Sequence, residues 1–164
     1  MIFGFNAAEV FQIAVEIEEN GRAFYEKAMA KIEDGEVRAI FKDLAQQEVE
    51  HKRKFQELKA QLPTEAAQST VYDPNNESAL YLKMMADGHV FRTSESVDTQ
   101  IAKVQDAVDA LRMAMEFEKD SVIFFLSMQD ATEEEKGRRF IGLLVKEEQE
   151  HLRRLALQLK KMTH

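Results

Sequence analysis

The 164-residue chain is 45% hydrophobic and 32% charged, with six glycines, two prolines and a formal net charge of −8. Its length suits a single domain spanning residues 1–164 with one substantial core, and its composition favours long helices over a turn-rich sheet protein. The acidic balance argues against nucleic acid as a partner, and the absence of cysteine excludes disulfides, thiolate zinc sites, iron–sulfur clusters and a thiol nucleophile.

The stretch from Met1 to Val10 has no basic region and no apolar run of signal-peptide length, and nothing later approaches a membrane span. A cytoplasmic address and no membrane partner are the expectation. A first helix is predicted from about Asn6, a candidate N-cap with Glu9 three residues on, to about Lys31. Asp34-Gly35 breaks the pattern, and a second helix follows to about Gln61, with Pro63 as its stop. The segment from Leu62 to about Val97 holds both prolines and the turn-rich run Tyr72-Asp73-Pro74-Asn75-Asn76. Within it, Glu77 to Ala86 reads as a short helix ended by Gly88. A third long helix is predicted over roughly Asp98 to Gln129. Thr132 and Glu135 form a capping-box pattern for a fourth, which runs almost to the last residue. The fold class is therefore all-α: two helical hairpins joined by a long crossover that contains a short helix.

The two hairpins repeat at an offset of 100 residues. Ala14, Glu16, Glu18, Phe24 and Tyr25 align with Ala114, Glu116, Glu118, Phe124 and Phe125. Leu44, Glu48, Glu50, His51 and Arg53 align with Leu144, Glu148, Glu150, His151 and Arg153. On a helix, residues three, four and seven apart share a face. By that rule Glu18 sits among Phe11, Ala14, Val15, Gly21 and Tyr25, and Glu48 and His51 among Phe41, Leu44, Ala45 and Phe55. Glu118 sits among Leu111, Ala114, Met115 and Phe125, and Glu148 and His151 among Ile141, Leu144, Val145 and Leu155. Six polar groups thus lie in the middle of apolar stripes. Glu16, Glu19, Glu50, Glu147 and Glu150 fall outside them and read as solvated surface.

Within each hairpin these groups lie at similar distances from the turn, so all six can converge at one level. Burying four carboxylates uncompensated would cost several kcal/mol each or force them to protonate. Four carboxylates and two neutral imidazoles sum to −4, which two divalent cations cancel. An oxygen and imidazole donor set without thiolate suits iron or manganese and tolerates zinc.

On these residues the chain resembles the ferritin-like di-iron carboxylate proteins, and among them the rubrerythrin group. The motif of that class is one Glu from each of two helices plus Glu-x-x-His from each of the other two. The resemblance implies two iron ions in a four-helix bundle. By position, Glu18 and Glu118 would be terminal carboxylates, Glu48 and Glu148 bridges, and His51 and His151 caps on one metal each. Tyr25 matches the family's tyrosine that hydrogen-bonds a ligand. The implied activity is reduction of hydrogen peroxide or dioxygen with an external electron donor.

Two departures stand out. Ser121 occupies the position where rubrerythrins commonly place an additional Glu, and this sequence has no Cys, whereas they often carry a Cys-rich electron-entry domain, so a separate electron donor is expected. Base rates of assembly predict a homodimer. The competing readings are iron oxidation for storage and a non-catalytic two-metal bundle. Among the remaining residues, His89 is expected to be a loop or packing residue of the crossover rather than a ligand, Arg22 to form a salt bridge at the bundle edge, and the methionines to fill core.

Overall fold

The computed structural model describes residues 7–61, 75, 77–132 and 135–164. Six helices follow one another, α1 (Ala7–Met29), α2 (Gly35–Gln61), α3 (Glu77–Asp87), α4 (Ser94–Lys103), α5 (Ala107–Asp130) and α6 (Glu135–Thr163), with no strand among the described residues. Helix α1 packs along α2 and α5 along α6. The hairpins meet through α1 against α5 and α2 against α6. This is a ferritin-like four-helix bundle, and α3 and α4 lie in the connection between its halves. None of the described helices is long and apolar enough to cross a membrane.

The turn between α1 and α2 is built on Asp34. Its carboxylate accepts from the Val37 N–H at 2.9 Å and its carbonyl from the Arg38 N–H at 3.0 Å, which satisfies donors that a helix start leaves unpaired. Each long helix buries one face. Phe24, Phe41, Leu44 and Phe55 of the first hairpin meet Leu111, Phe117, Phe125, Ile141 and Leu155 of the second in one core. Full burial of such side chains contributes about 1.5–3 kcal/mol each. That packing, rather than helix propensity, holds the bundle.

The third element differs from the sequence reading. A single helix over roughly 98–129 was expected, but two helices cover the region, broken at residues 104–106. Val104 ends α4 in an extended conformation, and Asp106 restarts the chain as N-cap of α5, its carboxylate accepting from the Asp109 N–H at 2.8 Å. Helix α4 also begins earlier than expected, behind a capping box of Thr93 and Ser96. The short helix over 77–86 and the fourth long helix match their expected positions within a residue or two. Thr132 returns its hydroxyl to the Met128 carbonyl at 2.7 Å. The proposed Asn6 cap and the Pro63 stop lie outside the described residues, as does the start of the turn leading into α6.

Two polar anchors fasten the connection to the bundle. The Asn20 amide of α1 donates to the Phe91 carbonyl at 2.7 Å, and the Asp120 carboxylate of α5 accepts from the Val90 N–H at 2.9 Å. The loop between α3 and α4 is thereby pinned against two helices that carry the central acidic residues.

Candidate metal centre

Glu18 of α1, Glu48 and His51 of α2, Glu118 of α5, and Glu148 and His151 of α6 are all buried, none more than 1% exposed. They fall into two overlapping groups. Glu18, Glu48, His51 and Glu148 bring ligand atoms within 4.8 Å of one another, and so do Glu48, Glu118, Glu148 and His151. Glu48 and Glu148 belong to both. The arrangement can therefore hold two cations side by side, with these two carboxylates between them. Each group offers oxygen and imidazole donors only.

Both histidines turn Nδ1 inward. His51 Nδ1 lies 2.7 Å from Glu148 Oε1 and 3.3 Å from Glu18 Oε2, and His151 Nδ1 lies 3.4 Å from oxygens of Glu48, Glu118 and Glu148. The rings are nearly parallel, 13° apart with centroids 5.6 Å apart. Yet both Nδ1 atoms and every oxygen of the four carboxylates except Glu118 Oε1 lack a hydrogen-bonding partner. Buried polar groups are almost always satisfied, so this concentration of orphaned atoms needs an explanation. Two divalent cations satisfy them all and cancel their charge.

Without cations, protons must do so. Burial, followed by the charge of Glu148, raises the pKa of Glu18, and the same causes hold Glu48 and Glu118 well above the usual carboxylate range. Burial pushes Glu148 the same way, but the closeness of Glu118 and of the two imidazoles outweighs it and pulls Glu148 well below that range. For His51 and His151, burial pulls downward and the surrounding carboxylates win, holding both far above the ordinary histidine value. Metal entry into such a cluster displaces protons.

Beyond the six, Tyr25 is fully buried and donates its hydroxyl to Glu118 Oε1, the one carboxylate oxygen so satisfied. Burial, then the charges of Glu118 and Glu48, raise its pKa well above normal, so it stays a phenol. The outer nitrogen of each histidine bonds to the opposite hairpin. His51 Nε2 donates to Glu147 Oε2 at 2.6 Å, and His151 Nε2 to Gln47 Oε1 at 2.8 Å. The reading of Glu147 as solvated surface is thus corrected. Although its side chain is 44% exposed, its carboxylate reaches across to His51. A signal was available, because an imidazole that offers Nδ1 to a metal must place its Nε2 proton somewhere.

The remaining surface residues behave as expected. Arg22 pairs with Glu19 and Glu26 on its own helix and not with the central carboxylates. Glu50 and Glu150 pair with Arg53 and Arg153. His89 is buried, as a packing residue should be, but it also bonds specifically. Its Nδ1 accepts from the Phe91 N–H at 3.0 Å, and its Nε2 donates to Ser121 Oγ at 3.0 Å. Burial pushes its pKa down to about 3, so the ring is neutral. The place of the additional rubrerythrin glutamate is thus taken by a hydroxyl tied to a crossover histidine.

A four-helix bundle enclosing two overlapping carboxylate and imidazole groups defines the ferritin-like di-iron carboxylate class of architecture. The chain belongs to the rubrerythrin family, whose sequence profile matches residues 9–159. Its fold is similar to that of a Thermotoga maritima chain described as a ferritin-like diiron-carboxylate protein, with a TM-score of 0.71, 21% identity and 98% of each chain covered. No curated protein matches the chain.

Proposed function

We propose that the chain is a di-iron oxidoreductase that reduces hydrogen peroxide or dioxygen with electrons from a separate donor. Glu18, Glu48, His51, Glu118, Glu148 and His151 would hold the two irons, with Glu48 and Glu148 shared between them. The observation that carries this reading is the set of orphaned, fully buried carboxylate oxygens and Nδ1 atoms facing one another. Family membership favours iron over manganese or zinc.

When bound, a pair of ferrous ions supplies two electrons to an O–O bond. Conversion of one hydrogen peroxide to two waters consumes two electrons and two protons, and the external donor restores the electrons. The chain's own residues set the conditions for this reaction. Tyr25 keeps its phenolic proton beside Glu118 and orients that carboxylate. Phe41, Phe55, Phe117 and Phe125 are fully buried on the helices that carry the acidic cluster, and a core so lined limits water and strengthens every charge interaction inside. The cross-hairpin bonds of His51 and His151 fix both rings with Nδ1 inward.

Anaerobic loading with ferrous iron should reach two irons per chain, and added peroxide should then oxidise them with a visible absorbance change. Glu118→Ala should abolish turnover. A loaded chain that gives no optical response to peroxide, or turns over equally well without Glu118, contradicts the proposal.

A further inference from the structure

The repeat makes the two halves of the centre alike in their ligating groups, but the residues behind those groups are not alike. Resting on the two-metal reading above, we propose that the position served by Glu18 and His51 holds its metal more tightly than the position served by Glu118 and His151, because Glu147 strengthens the first and Tyr25 weakens the second.

Residues 47 and 147 occupy the same place in the repeat, each one position before a shared glutamate, and each reaches the histidine of the other hairpin. His51 Nε2 ends on a carboxylate, Glu147 Oε2, at 2.6 Å. His151 Nε2 ends on an amide, Gln47 Oε1, at 2.8 Å. The amide is locked in that orientation, since Gln47 Nε2 donates to Asp43 Oδ2 at 2.9 Å. The same Asp43 oxygen accepts from Arg154 at 2.7 Å, so the carboxylate behind Gln47 is one amide removed from His151 and already engaged. Glu147 contacts its histidine directly and is only loosely paired, with Lys54 3.9 Å from its other carboxylate oxygen. A carboxylate that accepts an imidazole N–H raises the donor strength of the opposite ring nitrogen, and a neutral amide does so less.

A second repeat position acts in the same sense. Tyr25 donates its hydroxyl to Glu118 and draws charge away from that carboxylate. The equivalent residue in the other hairpin is Phe125, buried and without a hydroxyl, and both Glu18 oxygens lack a hydrogen-bonding partner. Glu18 therefore keeps its full charge for a metal, while Glu118 shares it. Both asymmetries make the Glu18 and His51 side the stronger donor set, and neither depends on which divalent ion enters.

The test is metal retention. Protein loaded anaerobically with two equivalents of iron-57 as Fe(II) and challenged with a ferrous chelator should lose its iron in two phases at least about tenfold apart, the scale on which outer partners of ligating histidines act. Glu147→Gln preserves shape and hydrogen bond but removes the charge. It should speed the slow phase by about tenfold and leave the fast one unchanged. Gln47→Glu should instead slow the fast phase. Mössbauer spectra of the loaded wild type should show two distinct ferrous doublets, drawn together in either variant. Equal release of both irons from wild type, or a slow phase indifferent to Glu147→Gln, overturns the proposal. A folded wild type that retains no iron overturns the two-metal reading beneath it instead.

Discussion

The two hairpins present the same Glu and Glu-x-x-His framework to the centre, yet they solve its surroundings differently. Next to Glu18, one turn along α1, stands Gly21; next to Glu118, one turn along α5, stands Ser121. A Cβ on Gly21 would lie 2.3 Å from Phe117 Cζ, so the glycine is there to admit the ring of the facing helix. Ser121 instead meets His89, delivered by the loop between α3 and α4. The crossover thus touches the α5 side of the centre with a polar pair, while the α1 side is closed by an aromatic ring. The duplicated framework supplies a symmetric set of ligating groups, and the single crossover, with residues 25/125 and 47/147, breaks that symmetry.

The largest effect should come from a shared carboxylate. Glu148→Ala removes a group common to both sets of ligand atoms, and iron content after loading should fall from two per chain to near zero. Loss of one iron only would show that the two positions are independent of a common bridge. Acidification should come next. His89 has a folded pKa of about 3 against an ordinary 6.5, so between those values the unfolded chain binds more protons than the folded one. The His89 contribution to stability therefore rises with pH across that interval and is lost as pH falls through it, by at most about 5 kcal/mol at 1.36 kcal/mol per unit. Denaturant titrations from pH 7 down to pH 4 should show wild type losing more stability than His89→Gln over that range. An unchanged slope in that variant would remove the buried neutral ring from the account.

Gly21→Ala pushes a methyl into Phe117, which is held by Tyr25, His89 and Phe91 at centroid distances of 6.0, 5.5 and 5.2 Å. Overpacking of this kind costs about 1–3 kcal/mol. Ser121→Gly, its mirror in the repeat, should cost less and act mainly through the freed His89. The smallest stability effect is expected for Tyr25→Phe, which deletes one buried hydrogen bond worth about 1 kcal/mol. It copies the Phe125 side of the repeat, so its clearest signature should be a shift of one Mössbauer doublet. Thermal denaturation of these variants ranks them, and a Gly21→Ala protein as stable as wild type would contradict the close approach of α1 and α5.

Much of this was legible in the sequence. Four glutamates and two histidines in the middle of apolar faces have few physical explanations, and the internal repeat doubled the signal. The bundle, the hairpins and the convergence of the six groups followed from helical spacing alone. The break at residues 104–106 did not, because Val97, Ile101, Val104 and Leu111 continue an apolar helical spacing across it. Only the capping pattern of Asp106 and Asp109 betrays the interruption, and such pairs are common within helices too. The bond from Glu147 to His51 was hidden for another reason. It crosses between hairpins from a half-exposed position, and a helical face reports only burial. His89 was read as a loop or packing residue, and its partner Ser121 is set by where the crossover loop lands, which no local pattern encodes.

Metal content tests the central claim most directly. Protein purified without added metal, then loaded anaerobically and freed of loosely bound ions, should carry two irons per chain, and anomalous diffraction at the iron edge should place two peaks among Glu18, Glu48, His51, Glu118, Glu148 and His151. A well-folded protein that takes up no metal, with no anomalous density between those side chains, would contradict it.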